Sequence, residues 1–326
     1  MNCKKYLLLI LFLINCVSIC CIGQNKADER PKLVVGIVID GLQQRHLDLL
    51  WERFSPNGLK KIAEQGSVFP NVQYNILSAG NAADIATLMS GSVPYYHGIT
   101  GNSTFNRKTK TLESILADES QTGIGSALKL SAKNLLTSTF SDELKMMTPA
   151  SRIFAVGINA EEAVMLGGHT ANAVVWLDDA IRWSSTTYYN GGLPKSADEM
   201  NMGQFFSNYI YSIWKPLKDI DTYLNKPTRE VAISGFRYDM RFKNEGDKKV
   251  SDLKNSPAAN SLVTELAKRI IDGENLGEQS DATDVLLLQY SVRQANEYST
   301  ALNSAEKEDM YYRLDNDLAD LLEKIE

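Results

Sequence analysis

Residues 78–102, SAGNAADIATLMSGSVPYYHGITGN, set a polar residue at the start of a short apolar helix and follow it with a glycine-bearing loop. A helix N-terminus carries unpaired backbone N–H groups and a partial positive charge, which makes it a seat for an anion such as phosphate. Ester chemistry at such a seat calls for a hydroxyl nucleophile, and the residue there is Asn81. An amide nitrogen has its lone pair delocalised and cannot replace an activated hydroxyl. Of the neighbouring hydroxyls, Ser78 precedes the helix and Thr87 lies two turns into it, so neither points where attack is needed. Asn81 itself fits a helix N-cap, with Ser90 and Gly91 at the stop.

A second chemical position is Asp40, which closes the apolar run KLVVGIVID and is followed by Gly41. Open α/β sheets place their chemistry at strand C-termini. The carboxylate is either a metal ligand or a cap on the following turn. The three histidines, His46, His97 and His169, are a tempting number for a zinc site. They fall in an amphipathic helix, a Pro-Tyr-Tyr-His-Gly loop and a Gly-Gly-His turn, all places where histidine serves structure.

The elements that must position these residues alternate. Residues 32–40 and 284–291 are β-branched or leucine-rich runs of the kind buried on both faces of a parallel sheet. Helical spacing is expected in HLDLLWERF, NGLKKIAEQG, residues 81–90, AKNLLTSTFSDELKMM, AEEAVML, MGQFFSNYIYSIW and LVTELAKRIID. RIFAVGIN reads as a strand, and NAVVWLDD with IRWSSTTYY as a hairpin. The last segment, from Ala305, carries Met310, Leu314, Leu318, Leu321, Leu322 and Ile325 on one helical face. The alternation predicts a doubly wound, mainly parallel α/β sheet, incomplete at its C-terminal end. Residues 192–260 are irregular and read as an inserted segment. The aromatics between Tyr188 and Trp214 are core packing or a binding face.

Residues 1–23 combine Lys4 and Lys5 with a short apolar run and a small-residue end, as in a secretory signal peptide. The run is too short for a transmembrane span, and the expectation is an exported, periplasmic or secreted protein whose domain is residues 24–326. A lipoprotein is the less favoured alternative, because Ser18 and Ile19 precede Cys20 and Cys21 poorly for lipidation. All four cysteines lie in that segment, so the exported chain would hold neither disulfides nor thiolate metal sites. Without Lys4 and Lys5, 32 basic residues stand against 40 acidic ones, a net charge of -8, which argues against nucleic acid as a partner.

VVGIVIDG, GSVPYYHGITGN, AKNLLTSTFSDELK, GGHTANAVVWLD and EDMYYRLDNDLADLL, in this order, resemble the alkaline phosphatase superfamily. The branch is the exported phosphomonoesterase and type I phosphodiesterase/nucleotide pyrophosphatase-like group of Bacteroidetes. The resemblance implies a two-zinc site in which a threonine or serine at a helix N-terminus attacks phosphorus. Zinc takes N and O donors, lowers the pKa of a bound oxygen nucleophile to about 7 and clamps both oxygens of an in-line displacement. Carried over by position, Asp40 matches a metal-binding aspartate and Asn102 a phosphate-contacting asparagine, while the nucleophile position falls on Asn81. Gln294 and Tyr298 stand where the family has an aspartate and a histidine ligand. Asn159 and Glu161 stand where the monoesterases have a phosphate-clamping lysine and arginine, and relatives carry further ligands beyond Glu326. The expectation is therefore a binding or structural pseudoenzyme that holds no zinc, its partner an unidentified protein or small molecule. The alternatives are an active metal-dependent phosphoesterase with a non-standard site, or a fragment of a longer protein.

Overall fold

Eight residues of unbroken apolar character up to a terminal carboxylate form the first strand, β1 (Leu33–Asp40). The computed structural model describes residues 30–74, 76–77, 80–210, 213–225, 238–239, 253–293 and 304–326. The expected signal peptide, Ser78, Gln294, Tyr298 and much of the expected insertion lie outside these residues. Lys32–Glu326 form one compact unit.

Down the chain from β1 follow α1 (Gln44–Leu50), α2 (Leu59–Gln65), α3 (Asn81–Ser90), α4 (Pro94–His97), β2 (Ser103–Asn106), β3 (Thr111–Ser114) and β4 (Gly123–Ile124). Next come α5 (Phe140–Met147), β5 (Ile153–Gly157), α6 (Ala160–Gly167), β6 (Ala173–Leu177), β7 (Trp183–Thr186), α7 (Lys195–Met202) and α8 (Phe205–Ile210). The last are β8 (Ile213–Trp214), β9 (Tyr238–Asp239), α9 (Pro257–Gly273), β10 (Asp284–Ser291) and α10 (Ala305–Ile325). The main sheet runs β1-β10-β5-β6-β7-β4. The pairs from β1 to β6 are parallel, and β7 and β4 add antiparallel strands at the far side. The sheet is thus mixed but mainly parallel and covered by helices, as the alternation of elements requires.

Strand periodicity of two divides the core into two layers. Leu286, Leu288, Tyr290, Phe154, Val156 and Val175 pack on the face covered by α9 and α10. Val285, Leu287, Ile153, Ala155, Val174 and Trp176 pack on the opposite face with α3 and α6. In α10, Met310, Leu314, Leu318 and Leu321 are buried, as the helical period predicts. The expected hairpin is β6–β7. The described aromatics between 188 and 214 divide between the two layers, with Tyr189, Phe206 and Trp214 buried.

Three local expectations need correction. The helix expected over AKNLLTSTFSDELKMM is present only from Phe140, because Thr139 and Asp142 form a reciprocal capping box that starts it there. Among the described residues of MGQFFSNYIYSIW the helix is interrupted: Met202 ends the preceding helix before Gly203, Phe205–Ile210 form a short one, and Ile213–Trp214 pair with Tyr238–Asp239. Asn81 is not the cap of α3 but its first helical residue. Gly80 takes the cap position at φ 120, a conformation open to glycine. Among the described residues no helix is long and apolar enough to cross a membrane.

Candidate functional site

The C-terminal end of β1 and the N-termini of α3 and α6 converge on one cluster. Parallel pairing sets Asp40 beside Ser291, so Arg293, two residues past the partner strand, reaches back over it. The Arg293 guanidinium places Nε 3.1 Å from Asp40 Oδ2. Its Nη2 donates to Asp40 Oδ1 at 3.2 Å and to Asn81 Oδ1 at 3.3 Å. Asn81 Nδ2 in turn donates to Asp40 Oδ2 at 3.4 Å and to Glu162 Oε1. Asn159 Nδ2 reaches the same Glu162 oxygen at 3.2 Å.

Glu162 is 3% exposed, and its Oε2 has no hydrogen-bond partner among the described residues. Burial pushes its pKa up to about 7, and the Asp40 charge adds to the rise against the hydrogen bonds from Asn81 and Asn159 and the charge of Arg293. Lys307, buried on α10, donates to the Val292 carbonyl. Burial brings its pKa down to about 8, against the pull of Asp40.

Asn102 accepts a 3.0 Å hydrogen bond from the Ala82 N–H through Oδ1. It thereby supplies the cap that Asn81 does not, and it occupies one of the backbone donors an anion would use. A Cβ on Gly80 would sit 2.9 Å from that oxygen, so glycine is what allows the approach. Glu161 lies apart from this network, its Oε1 accepting from Ser114 at 3.1 Å. The structure therefore brings Asp40 and Asn81 together, joins Asn159 to them through Glu162, sets Asn102 on the helix end and turns Glu161 to β3.

Among the described residues the donor set does not fit the zinc that the resemblance implies. Both Asp40 oxygens are bonded to the Arg293 guanidinium, which supplies a countercharge to this carboxylate. A second carboxyl, Glu162, is joined to Asp40 through Asn81, which donates to both. Among the described residues no group of three or more His, Cys, Asp or Glu is placed to hold an ion.

The family described as type I phosphodiesterase/nucleotide pyrophosphatase matches residues 34–326. The chain belongs to that family. An alkaline phosphatase from Synechococcus elongatus, PhoV, is 33% identical over 89% of this chain and 55% of its own length. A Myroides odoratus protein named calcium-transporting ATPase is 34% identical over 90% of this chain and 56% of its own. The crystal structure of the alkaline phosphatase PafA superposes with a TM-score of 0.81 at 26% identity, covering 92% of this chain and 60% of that one. The fold and the sequence together place this member in the alkaline phosphatase superfamily, on its Bacteroidetes-type branch. It spans little more than half the length of the curated relatives it matches.

The three histidines of this family member each pack or hydrogen-bond within the scaffold. His97 Nε2 meets the Thr87 hydroxyl at 3.0 Å, and its Nδ1 accepts from Ile99 N. His169 bridges Asp142 and the Leu135 carbonyl, each at 2.9 Å. His46 is buried against the Tyr311 ring. Sequence reasoning passed over Glu162, Arg293 and Lys307. Glu162 had a signal: it is the third residue after the Asn159 cap of α6, the spacing at which a carboxylate turns back toward the helix start.

Proposed function

We propose that this protein is a non-catalytic member of its superfamily, exported from the cell and serving as a binding or structural protein on a phosphatase scaffold. The observation that carries this reading is the Arg293–Asp40–Asn81–Glu162 network. An amide stands at the nucleophile position, and a guanidinium neutralises the one carboxylate that matches a metal ligand. A hydroxyl nucleophile at a helix end needs a metal or a general base to ionise it. Here both the hydroxyl and the free donor set are replaced. The loss of a nucleophile alone costs on the order of 10⁶ in turnover in a well-studied hydrolase.

The capped N-terminus of α3 supports the same reading, because the Asn102 oxygen holds a donor that a phosphate would otherwise receive. Export is supported by the basic start and short apolar run of residues 1–23. Zinc content after exhaustive dialysis, measured beside turnover of a phosphate monoester, tests the proposal. The expected result is less than one zinc per chain and no turnover above the buffer rate. Two tightly held zinc ions, or metal-dependent hydrolysis, would overturn it.

A further inference from the structure

Residues 132–139, between β4 and α5, follow an irregular path that two histidines hold. The Leu136 N–H donates to the His97 carbonyl at 2.9 Å, and the Leu135 carbonyl oxygen lies 2.9 Å from His169 Nε2. The two rings need opposite protonation states. His97 Nδ1 accepts from the Ile99 N–H at 3.1 Å and so carries no proton. The Thr87 hydroxyl, 3.0 Å from its Nε2, gives its own proton to the Ala83 carbonyl. The ring proton therefore sits on Nε2, and the ring is neutral. His169 is the reverse case. Its Nδ1 lies 2.9 Å from Asp142 Oδ2, an oxygen that also accepts from Thr139 N. Both ring nitrogens thus face acceptors, and the imidazolium alone has a proton for each.

We propose that residues 132–139 form a latch that is closed only while His169 is charged and His97 is neutral, and that opens on both sides of a pH window. When His169 loses a proton, the carboxylate, as the stronger acceptor, keeps Nδ1–H. The bare Nε2 then sets its lone pair against the Leu135 carbonyl, and that contact turns repulsive. When His97 gains a proton, Nδ1–H points at the Ile99 N–H, and the turn through Gly98 must shift. The segment leans on this turn: a Cβ at Gly98 would lie 2.9 Å from Leu136 Cγ and 3.1 Å from the Asn134 carbonyl oxygen. Burial lowers the His97 pKa, whereas the Asp142 hydrogen bond raises that of His169. The window therefore spans the ordinary histidine value, about 6.5, with its acid edge below and its alkaline edge above.

Other titratable groups lie close by. Against burial, hydrogen bonds from His169, Thr139 and Thr170 hold Asp142 ionised. Burial, helped by the Asp142 charge, raises Tyr188 and Tyr189 beyond β7, so both stay neutral. Asp118 also acts on Tyr188; against burial, it is held ionised by hydrogen bonds from Lys133 of the segment, Ser120 and Ser131. Glu143 on α5 accepts from Ser138 of the segment, and the group that α3 turns to the His97 ring is the Thr87 hydroxyl. The latch also reaches the candidate site. Asn134 Nδ2 donates to the Ile115 carbonyl at 2.6 Å, Ile115 N donates to the Asn102 carbonyl at 3.1 Å, and the Asn102 side chain caps α3 through Ala82 N. Opening the latch therefore loosens the start of α3, beside Asn81.

Hydrogen exchange on the purified protein from pH 4 to pH 9, each rate referred to that of an unstructured chain at the same pH, reads the latch through the Leu136 amide. Its protection is expected to peak near neutrality and to fall about tenfold or more toward each end, the factor that one charge-assisted hydrogen bond supplies. The two midpoints should match the NMR titrations of the His97 and His169 rings. His169→Gln should abolish the alkaline fall, and His97→Asn, whose Oδ1 can stand in for Nδ1, the acid one. Flat protection in the parent, or either fall persisting in its variant, overturns the proposal. So does a parallel loss at the Leu287 amide of β10, which would mean global unfolding. Should His97→Asn not fold, the ring nitrogen shifts of the parent at neutral pH decide the acid edge: the Nε2–H tautomer is expected, and Nδ1–H overturns it. The Ala82 amide should follow Leu136, and constant Ala82 protection overturns the link to the candidate site.

Discussion

Asn81 has both ends of its amide committed, Nδ2 to two carboxyl groups and Oδ1 to a guanidinium. Replacing it by threonine would supply the hydroxyl the family uses but no ion to activate it. Asn81→Thr is expected to show no metal-dependent turnover of a phosphate monoester, even with zinc in excess; activity in that single variant would reveal a working metal site. Glu162 yields a pH signature of definite sign. Its raised folded pKa means that the folded state holds a proton the unfolded chain has released. Stability should fall as pH climbs from the ordinary glutamate range to about 7, and stay lower above it. Glu162→Gln keeps an acceptor for Asn81 and removes the charge, so it should stabilise the protein by roughly 3 kcal/mol at pH 8 and by little at pH 4. Urea unfolding of both proteins at the two pH values measures this. Asp40 and Asn81 could be singled out from sequence because a strand end and a helix start announce themselves locally. Arg293 could not, because its place depends on β10 lying next to β1, a pairing of distant segments that no local pattern encodes.

The helices of this protein are fixed less by composition than by what holds their ends. α5 starts at a capping box whose Asp142 also accepts from the His169 and Thr170 backbone and from the His169 ring. The Asp142 hydrogen bond raises the His169 pKa against burial. This contact should contribute fully below the ordinary histidine value and be lost as pH rises through the raised one. His169→Gln should therefore cost more stability at pH 5.5 than at pH 9, a difference read from denaturant midpoints. α10 is held through Asp309, which is fully buried and accepts from Trp214 Nε1 at 2.5 Å, Leu217 N at 2.7 Å, Arg313 Nε at 2.7 Å and the Tyr223 hydroxyl. Asp309→Ala would strand these donors and should destabilise by about 3–5 kcal/mol; a calorimetric loss under 1 kcal/mol would mean that water replaces the carboxylate. Such ends also explain what could be read from the chain alone. The strands β1 and β10 and the helix α10 follow from apolar runs and period, and α3 stops at Gly91, as the glycine signals. Residues 132–139 have helical composition yet lie outside α5, because the Thr139 box and the Leu136 N–H bond to the His97 carbonyl set a different path.

One sheet carries both apolar layers, so the two should melt together. Leu287 and Leu288 are adjacent on β10 and face opposite layers. Leu287→Ala and Leu288→Ala should each lower the same single transition, by about 2–5 kcal/mol. Two separated transitions in either variant would show that the layers unfold independently. The order of strands has a consequence in time as well. Leu33 pairs with Asp284, so the first strand to leave the ribosome waits for a partner made roughly 250 residues later. At about 5–20 residues per second, the interval is on the order of 10–50 s. Among the described strands β10 alone pairs with the uncharged LVVGIVI segment, which makes that segment a natural target for a holding chaperone until β10 is made.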